Sequence, residues 1–373
     1  MSKINNRKGC TVMAERIYNG MIPLLADMVS ATAGKEIGEK FRTGPLGTKP
    51  YDEELPCSPR ENMRLLLEHK IPKYLPMAGD TYPITPDIIC ERSYDNLTGP
   101  DWFGCIWTFE PGIGATIVRP GDEPLDSIEG WKNKVKFPDL DALDWEECAK
   151  GIEKYYDDNR MSDWWLQVGL FERLHSLLGM EHALEALIED EDEVAEFFDA
   201  LTEHKIKIIR NLTRYFRVEM ICYHDDWGYN KDGFIPPRIF ERLIAPNLKK
   251  IVKAAHEGGA YFNMHSDGRI ERYIPYMVEA GVDMWNPAQT VNDVVAVKKK
   301  FGDRLVLNGA MDEPWTNDKN ASEEKLRAFV RDKVNVLGKN GGFYANPSTF
   351  NGHNKAIMSD ELRKYGRHFY QQL

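Results

Sequence analysis

From residue 160 to the C-terminus, apolar runs of strand length alternate with helical patterns, and this alternation constrains the fold more than any other property of the chain. The strand-like runs lie at 164–168, 220–223, 261–264, 282–285, 304–307 and 342–345. Helical patterns occupy 193–217, 237–257, 270–280, 292–300 and 323–339. Strand, helix, strand in regular succession implies a parallel sheet with helices packed outside it. These units, with further candidates in the first half, predict an α/β fold, a closed (β/α)8 TIM barrel. No G-x-G-x-x-G follows the first strand and no P-loop is present, which weakens a Rossmann reading.

In such a barrel the chemistry sits at the C-terminal strand ends. The run 220–223 is followed by His224-Asp225-Asp226-Trp227-Gly228, and 261–264 by His265-Ser266-Asp267-Gly268. Asn286, Asn308-Gly309 and Asn346-Pro347-Ser348 follow the next three. Each has a bland reading. A histidine after a strand is commonly a hydrogen-bonded structural residue, and Asp267 before Gly268 suits an N-cap. Asn286 and Asn346 could simply cap or turn. The convergence carries the argument, since two histidines and three aspartates projecting into one mouth supply acids, bases and orienting carboxylates. His224, Asp225, His265 and Asp267 are therefore the expected catalytic residues. Asp226, Asn286 and Asn346 are expected to bind substrate. His265 and Asp267 in an H-x-D spacing could also share a metal such as zinc, a weak motif taken alone.

The first half reads differently. Residues 1–57 form an expected N-terminal extension, with a plausible helix at 15–29 and a turn-rich stretch at 43–50. The barrel domain is expected over 58–373. Ser58-Pro59-Arg60-Glu61 has capping-box spacing, with proline at the first helical position. Residues 79–145 are rich in Pro, Gly, Trp and Asp, and they read as an insertion capping the site. Strand-like segments lie at 102–109 and 115–119, punctuated by Gly112 and Gly114. Trp102, Phe103, Trp107 and Phe109 either line the site or pack the insertion onto the barrel. Trp102 and Trp107 are taken as substrate-binding candidates.

Composition excludes whole classes. A 373-residue chain with 42% hydrophobic and 29% charged residues can bury a large core. A net charge of −11 argues against a nucleic-acid surface. The basic run Lys298-Lys299-Lys300 reads as a solvated helix end. No apolar stretch follows the basic N-terminal residues and no long apolar run occurs, so neither a signal peptide nor a membrane span is expected. Six scattered cysteines with no CxxC pair fit reduced thiols in a cytoplasmic protein.

Residues 58–373 resemble the uroporphyrinogen decarboxylase superfamily. The resemblance rests on Ser58-Pro59-Arg60-Glu61-Asn62, on Gly169-Leu170-Phe171-Glu172 followed by Leu178-Gly179-Met180-Glu181, and on Asp225-Asp226-Trp227-Gly228 with Pro236-Pro237-Arg238-Ile239-Phe240. Met264-His265-Ser266-Asp267-Gly268, Ala280-Gly281-Val282-Asp283 and Phe301-Gly302-Asp303-Arg304-Leu305 complete it. The order and spacing of these motifs are specific where each alone is loose. The resemblance implies a (β/α)8 barrel.

Within the superfamily, the decarboxylases carry an arginine-rich N-terminal signature, whereas this chain has only scattered arginines there, Arg16 and Arg42. Asn351-Gly352-His353 is similar to their N-L-G-H-G turn, which places His353 as a cavity-facing, substrate-binding candidate. The zinc methyltransferases of the other branch carry H-x-C and a later cysteine. Here His265 matches, Asp267 replaces the first cysteine, and Pro347-Ser348-Thr349 supplies no second. The resemblance thus points to the methyltransferases that move a methyl group from a small, methoxylated aromatic substrate to the cobalt of a corrinoid (cobalamin) on a partner protein. Zinc becomes the minor expectation. The alternatives are a cofactor-independent decarboxylase and a non-catalytic tetrapyrrole- or corrinoid-binding barrel. Homodimerisation is left open.

Overall fold

The computed structural model describes residues 54–85, 88–92, 99–110 and 115–372. The expected helix at 15–29, the turn-rich arm, Gly112 and Gly114 lie outside the described residues, as does the side chain of Phe109.

Seven parallel strands form the main sheet. They are β1 (Thr81–Ile84), β5 (Met161–Leu166), β6 (Met220–His224), β7 (Tyr261–His265), β8 (Met284–Ala288), β9 (Val306–Met311) and β10 (Phe343–Pro347), adjacent in that order. The sheet curls until its edges meet. Met77 bridges Ala345 of β10 in parallel, Ala78 N–H donates to the Ala345 carbonyl at 2.9 Å, and Ala345 N–H donates to the Pro76 carbonyl at 2.9 Å. Residues 76–84 therefore serve both edges, pairing with β10 at their start and with β5 at their end. A buried bidentate pair pins this bend, with Arg367 Nη1 and Nη2 at 2.8 and 2.7 Å from the Asp80 carboxylate.

The expected eighth strand is absent from the sheet among the described residues. The strand-like segments near 102–109 and 115–119 do form strands, but they pair with each other. Together with β2 (Gly99–Pro100), β3 (Ile106–Glu110) and β4 (Ala115–Val118) make a separate antiparallel sheet. The hairpin satisfies its backbone locally, so no edge of it is needed by the barrel. Asp101 anchors it from below. Its carboxylate accepts from the amides of Phe103 and Cys105 and from the Trp107 indole, and it pairs at 2.5 Å with the fully buried Arg173.

Period-2 alternation sorts the barrel interior into layers. Met161, Met220, Met284, Val306 and Tyr344 form the lowest, sealed by Met63, Leu66 and Leu67 of α1 (Pro59–Leu67). The Ser58–Glu61 capping box that starts this helix is present in both directions. Two residues further along each strand the interior turns polar, with Asp163, Cys222, Asn263 and Asn308, all buried. Two residues beyond that, Trp165, His224 and His265 meet at the mouth. The polar residues thought to follow the strands are mostly inside them. His224, His265, Asn286, Asn308 and Asn346 all belong to ladders, because an inward-facing polar side chain costs the backbone pairing nothing. No helix among the described residues is long and apolar enough to cross a membrane.

Candidate active site

His224 and His265 end adjacent strands in register, and their rings stack with centroids 3.9 Å apart and planes at 14°. The indole of Trp165, from β5, tilts against both at 6.5 and 5.9 Å. Two cations could not stack this way unaided, so the charge around the pair decides what it can do.

Glu172 supplies that charge. It lies in the first turn of α2 (Leu170–Leu178), directly after β5, and its carboxylate is 3.0 Å from His224 Nδ1. Burial disfavours the imidazolium, but Glu172 and Asp226 outweigh it and raise His224 to about 9. Burial likewise opposes the Glu172 carboxylate, which His224 holds well below the usual range. The amino end of the helix favours the anion too. At neutral pH His224 is therefore an imidazolium with Nδ1 paired ionically to Glu172 and Nε2–H remaining as a donor.

Asp225, expected to be catalytic, does another job. Fully buried, it accepts from the backbone amides of Leu170, Phe171 and Glu172 at 3.1, 3.3 and 2.9 Å. It caps the helix that carries Glu172, from a neighbouring strand end. Gly169 makes room for it, since a Cβ at that position would lie 2.2 Å from the Asp225 Cβ.

Asp226 and Asp267 face the other nitrogen of the second histidine. His265 Nε2 is 3.9 Å from Asp226 Oδ1 and 3.8 Å from Asp267 Oδ2. Asp226 also accepts from the Asp267 amide at 2.8 Å, and burial raises it to about 6 against the pull of His224. The N-cap reading of Asp267 fails, because the next helical turn, Glu271–Tyr273, starts at Ile270 with no side-chain cap. Gly268, at φ +85°, lets this loop lie on the backbone of Gly228, where a Cβ would meet the Gly228 carbonyl carbon at 2.2 Å. Asn286 sits 3.3 Å from His265 Nδ1.

The candidate metal ligands differ from those expected. His224, Asp226 and His265 offer ligand atoms that all lie within 4.8 Å of one another, so this cluster keeps His265 and adds His224 and Asp226, while Asp267 stays 3.8 Å from His265 Nε2. Two imidazoles and a carboxylate form an N2O set suited to zinc with an open fourth position, and the Glu172–His224 contact is the kind that orients a ligating imidazole.

Of the other expected substrate-binding residues, three stand elsewhere and Asn346 lies on β10 beside Asn308. Trp107 is buried and spends its indole N–H on Asp101 at 2.8 Å. Trp102 is half-buried, edge-on to His204 at 6.0 Å. Both pack the insertion onto the barrel, the bland alternative. Asn346 donates to Asn308 at 3.3 Å. His353 is exposed in the first turn of the helix Gly352–Lys364, and no described contact joins it to the histidine pair.

Part of the chain matches a known family. The model of the uroporphyrinogen decarboxylase family matches residues 170–349, from the first residue of α2 to the loop after β10. The match takes in just under half of the chain. No curated protein matches it. Among solved structures it is similar to a methyltransferase from Methanosarcina mazei, at 12% identity and a TM-score of 0.63, over 83% of this chain and 99% of that one. A mannonate dehydratase from Streptococcus suis serotype 2 overlaps less, with 13% identity, a TM-score of 0.34, 59% of this chain and 83% of that one. Glu172 is the residue of this cluster that strand-end reasoning missed. It lies in the Gly169-Leu170-Phe171-Glu172 motif of the resemblance, but on a helix rather than a strand end, so nothing in the periodicity paired it with His224.

Proposed function

We propose that this protein transfers a methyl group from a small methylated donor, a methoxylated aromatic compound, to the cobalt of a corrinoid carried by a partner protein. The observation that carries the reading is the stacked His224–His265 pair with Glu172 fixed on its inner nitrogen, at the mouth of the barrel. A methyl ether is a poor methyl donor because its oxygen leaves as an anion. His224 Nε2–H, beside Trp165, is placed to give that oxygen a proton as the carbon–oxygen bond breaks, so that a neutral hydroxyl leaves. The methyl carbon goes to the acceptor with the pair of electrons that the acceptor supplies. Glu172 keeps His224 charged and oriented, and His265 with Asp226 and Asp267 completes a polar wall on the other side. The absence of the cysteine pair removes the soft thiolate set that thiol-activating members use, which favours a donor-side enzyme.

A second reading of the same residues has its own observation. The N2O set of His224, Asp226 and His265 fits zinc, which would polarise the ether oxygen as a Lewis acid. In either case the test is to mix the purified protein with reduced corrinoid protein and a panel of methoxyarenes. The methylated-corrinoid absorbance should appear with at least one of them. Its absence across a broad panel would sink the proposal.

A further inference from the structure

β5 gives way to α2 within three residues, Gln167, Val168 and Gly169, and the middle one holds a conformation that its side chain resists. Val168 has φ +59° and is fully buried. The left-handed region crowds a β-branched residue, which stays there only where its surroundings leave the backbone no alternative. The gain is geometric. The sharp turn lets the Gly169 N–H donate to the His224 carbonyl at 2.6 Å. It also sets the first turn of α2 against the end of β6, where Glu172 reaches His224 Nδ1.

Fixed points flank Val168 on both sides. After it come the Gly169 bond and the Asp225 cap. Before it, Gln167 is gripped twice. Its carbonyl accepts from Lys205 Nζ at 3.2 Å, and its side-chain Oε1 accepts from Arg92 Nη1 at 3.3 Å. Lys205 belongs to the helix Glu191–Tyr215, is fully buried, and pairs with the buried carboxylate of Glu91. Arg92 is fixed in turn on Thr116 of β4, with Nε 3.0 Å from Oγ1 and Nη2 2.5 Å from the carbonyl. The Glu91 carbonyl accepts from Arg173 Nη2 at 2.7 Å. Two consecutive residues of the insertion thus hold the turn before Glu172 and the residue after it. A buried ion pair is a weak source of stability, since well-packed apolar side chains commonly do as well. What apolar side chains could not replace is the bond from Lys205 to the Gln167 carbonyl.

We infer that Lys205, held by its Glu91 counterion, is a positioning residue that locks the strained turn at Val168 and thereby fixes Glu172 against His224. The inference rests on the methyl-transfer reading for the reaction that Glu172 serves, but the lock itself is a claim about the backbone. It is tested by hydrogen–deuterium exchange of the full chain, read by mass spectrometry. The comparison is between the wild type and a paired variant, Glu91→Gln with Lys205→Met, which removes both charges and leaves neither uncompensated. The peptide over residues 167–173 should exchange at least about tenfold faster in the paired variant, while the peptide over β7 exchanges as before. Arg92→Met, at a half-buried position, loses only the side-chain grip and should speed the same peptide by about threefold. That variant decides alone should the paired one fail to fold. In the methyl-transfer assay the paired variant should lose about tenfold in kcat with the donor KM nearly unchanged. Unchanged protection of residues 167–173 in the folded variants would overturn the inference. Faster exchange spread evenly over the chain would also overturn it, by making the buried pair a source of global stability alone. Selective exchange in a protein that transfers no methyl group would remove the methyl-transfer reading and leave the lock, whereas transfer at the wild-type kcat in the paired variant would do the reverse.

Discussion

Replacing Glu172 with glutamine keeps the side chain's volume and removes the charge that holds His224 protonated. The sign of the effect on stability follows from the direction of the shift. His224 is raised above its unfolded value, so its contribution is fully present below about pH 6.5 and is lost as pH climbs through about 9. The depression of Glu172 is the same ion pair seen from its partner and is counted once. Chemical denaturation between pH 6.5 and 10 should show the wild type losing on the order of 2 kcal/mol, while Glu172→Gln stays nearly flat over that range. Turnover in Glu172→Gln should fall about 100-fold with little change in substrate affinity, the split expected when a proton donor is lost. Asp225 behaves oppositely. Asp225→Ala leaves three amide donors of α2 without an acceptor, and should lower unfolding stability by about 1–3 kcal/mol. At this scale the sequence showed both histidines and the aspartates around them, since they end recognisable strands. It could not separate Asp225 from Asp226. Adjacent residues on a strand end point in opposite directions, and which of them reaches into the mouth depends on a helix that packs from elsewhere.

The elements were legible where period and capping agreed. The capping box at Ser58 and Glu61 starts α1 as its spacing predicts, and the six strands of the second half appear with ends shifted by a few residues. The strand count failed for a reason of geometry. Residues 76–84 bend and pair on both sides, so one segment closes the sheet where eight separate strands were expected, and the strand-like runs of the insertion pair with one another. Arg367 and Asp80 hold that bend from positions 287 residues apart, which no local pattern can show. Breaking a buried pair leaves an uncompensated charge. Arg367→Ala should therefore cost about 3–5 kcal/mol in urea denaturation, whereas removal of the exposed pair partner Asp158, on Arg217, should cost less than about 1 kcal/mol.

At the scale of the whole molecule, the chain builds a barrel whose interior is apolar at the base, polar in the middle and ionic at the mouth. The gradient comes from one residue in two along β5, β6 and β7, running Met161, Asp163, Trp165; Met220, Cys222, His224; and Tyr261, Asn263, His265. Those triplets stand in plain view in the sequence, but they read as a graded interior only once register is known. The metal question belongs to this scale as well. If the N2O set holds zinc, the isolated protein should carry about one equivalent by metal analysis, and Asp226→Asn should lose it while Asp267→Asn keeps it. The central claim is that the histidine pair gives up a proton as a methyl group leaves the bound ether. The most direct measurement is single-turnover methylation of a reduced corrinoid protein by the wild type and by His224→Gln, with donor saturating. The account predicts a fall of at least about 100-fold in the methylation rate with donor affinity nearly unchanged. A His224→Gln protein that methylates the corrinoid at the wild-type rate would contradict it.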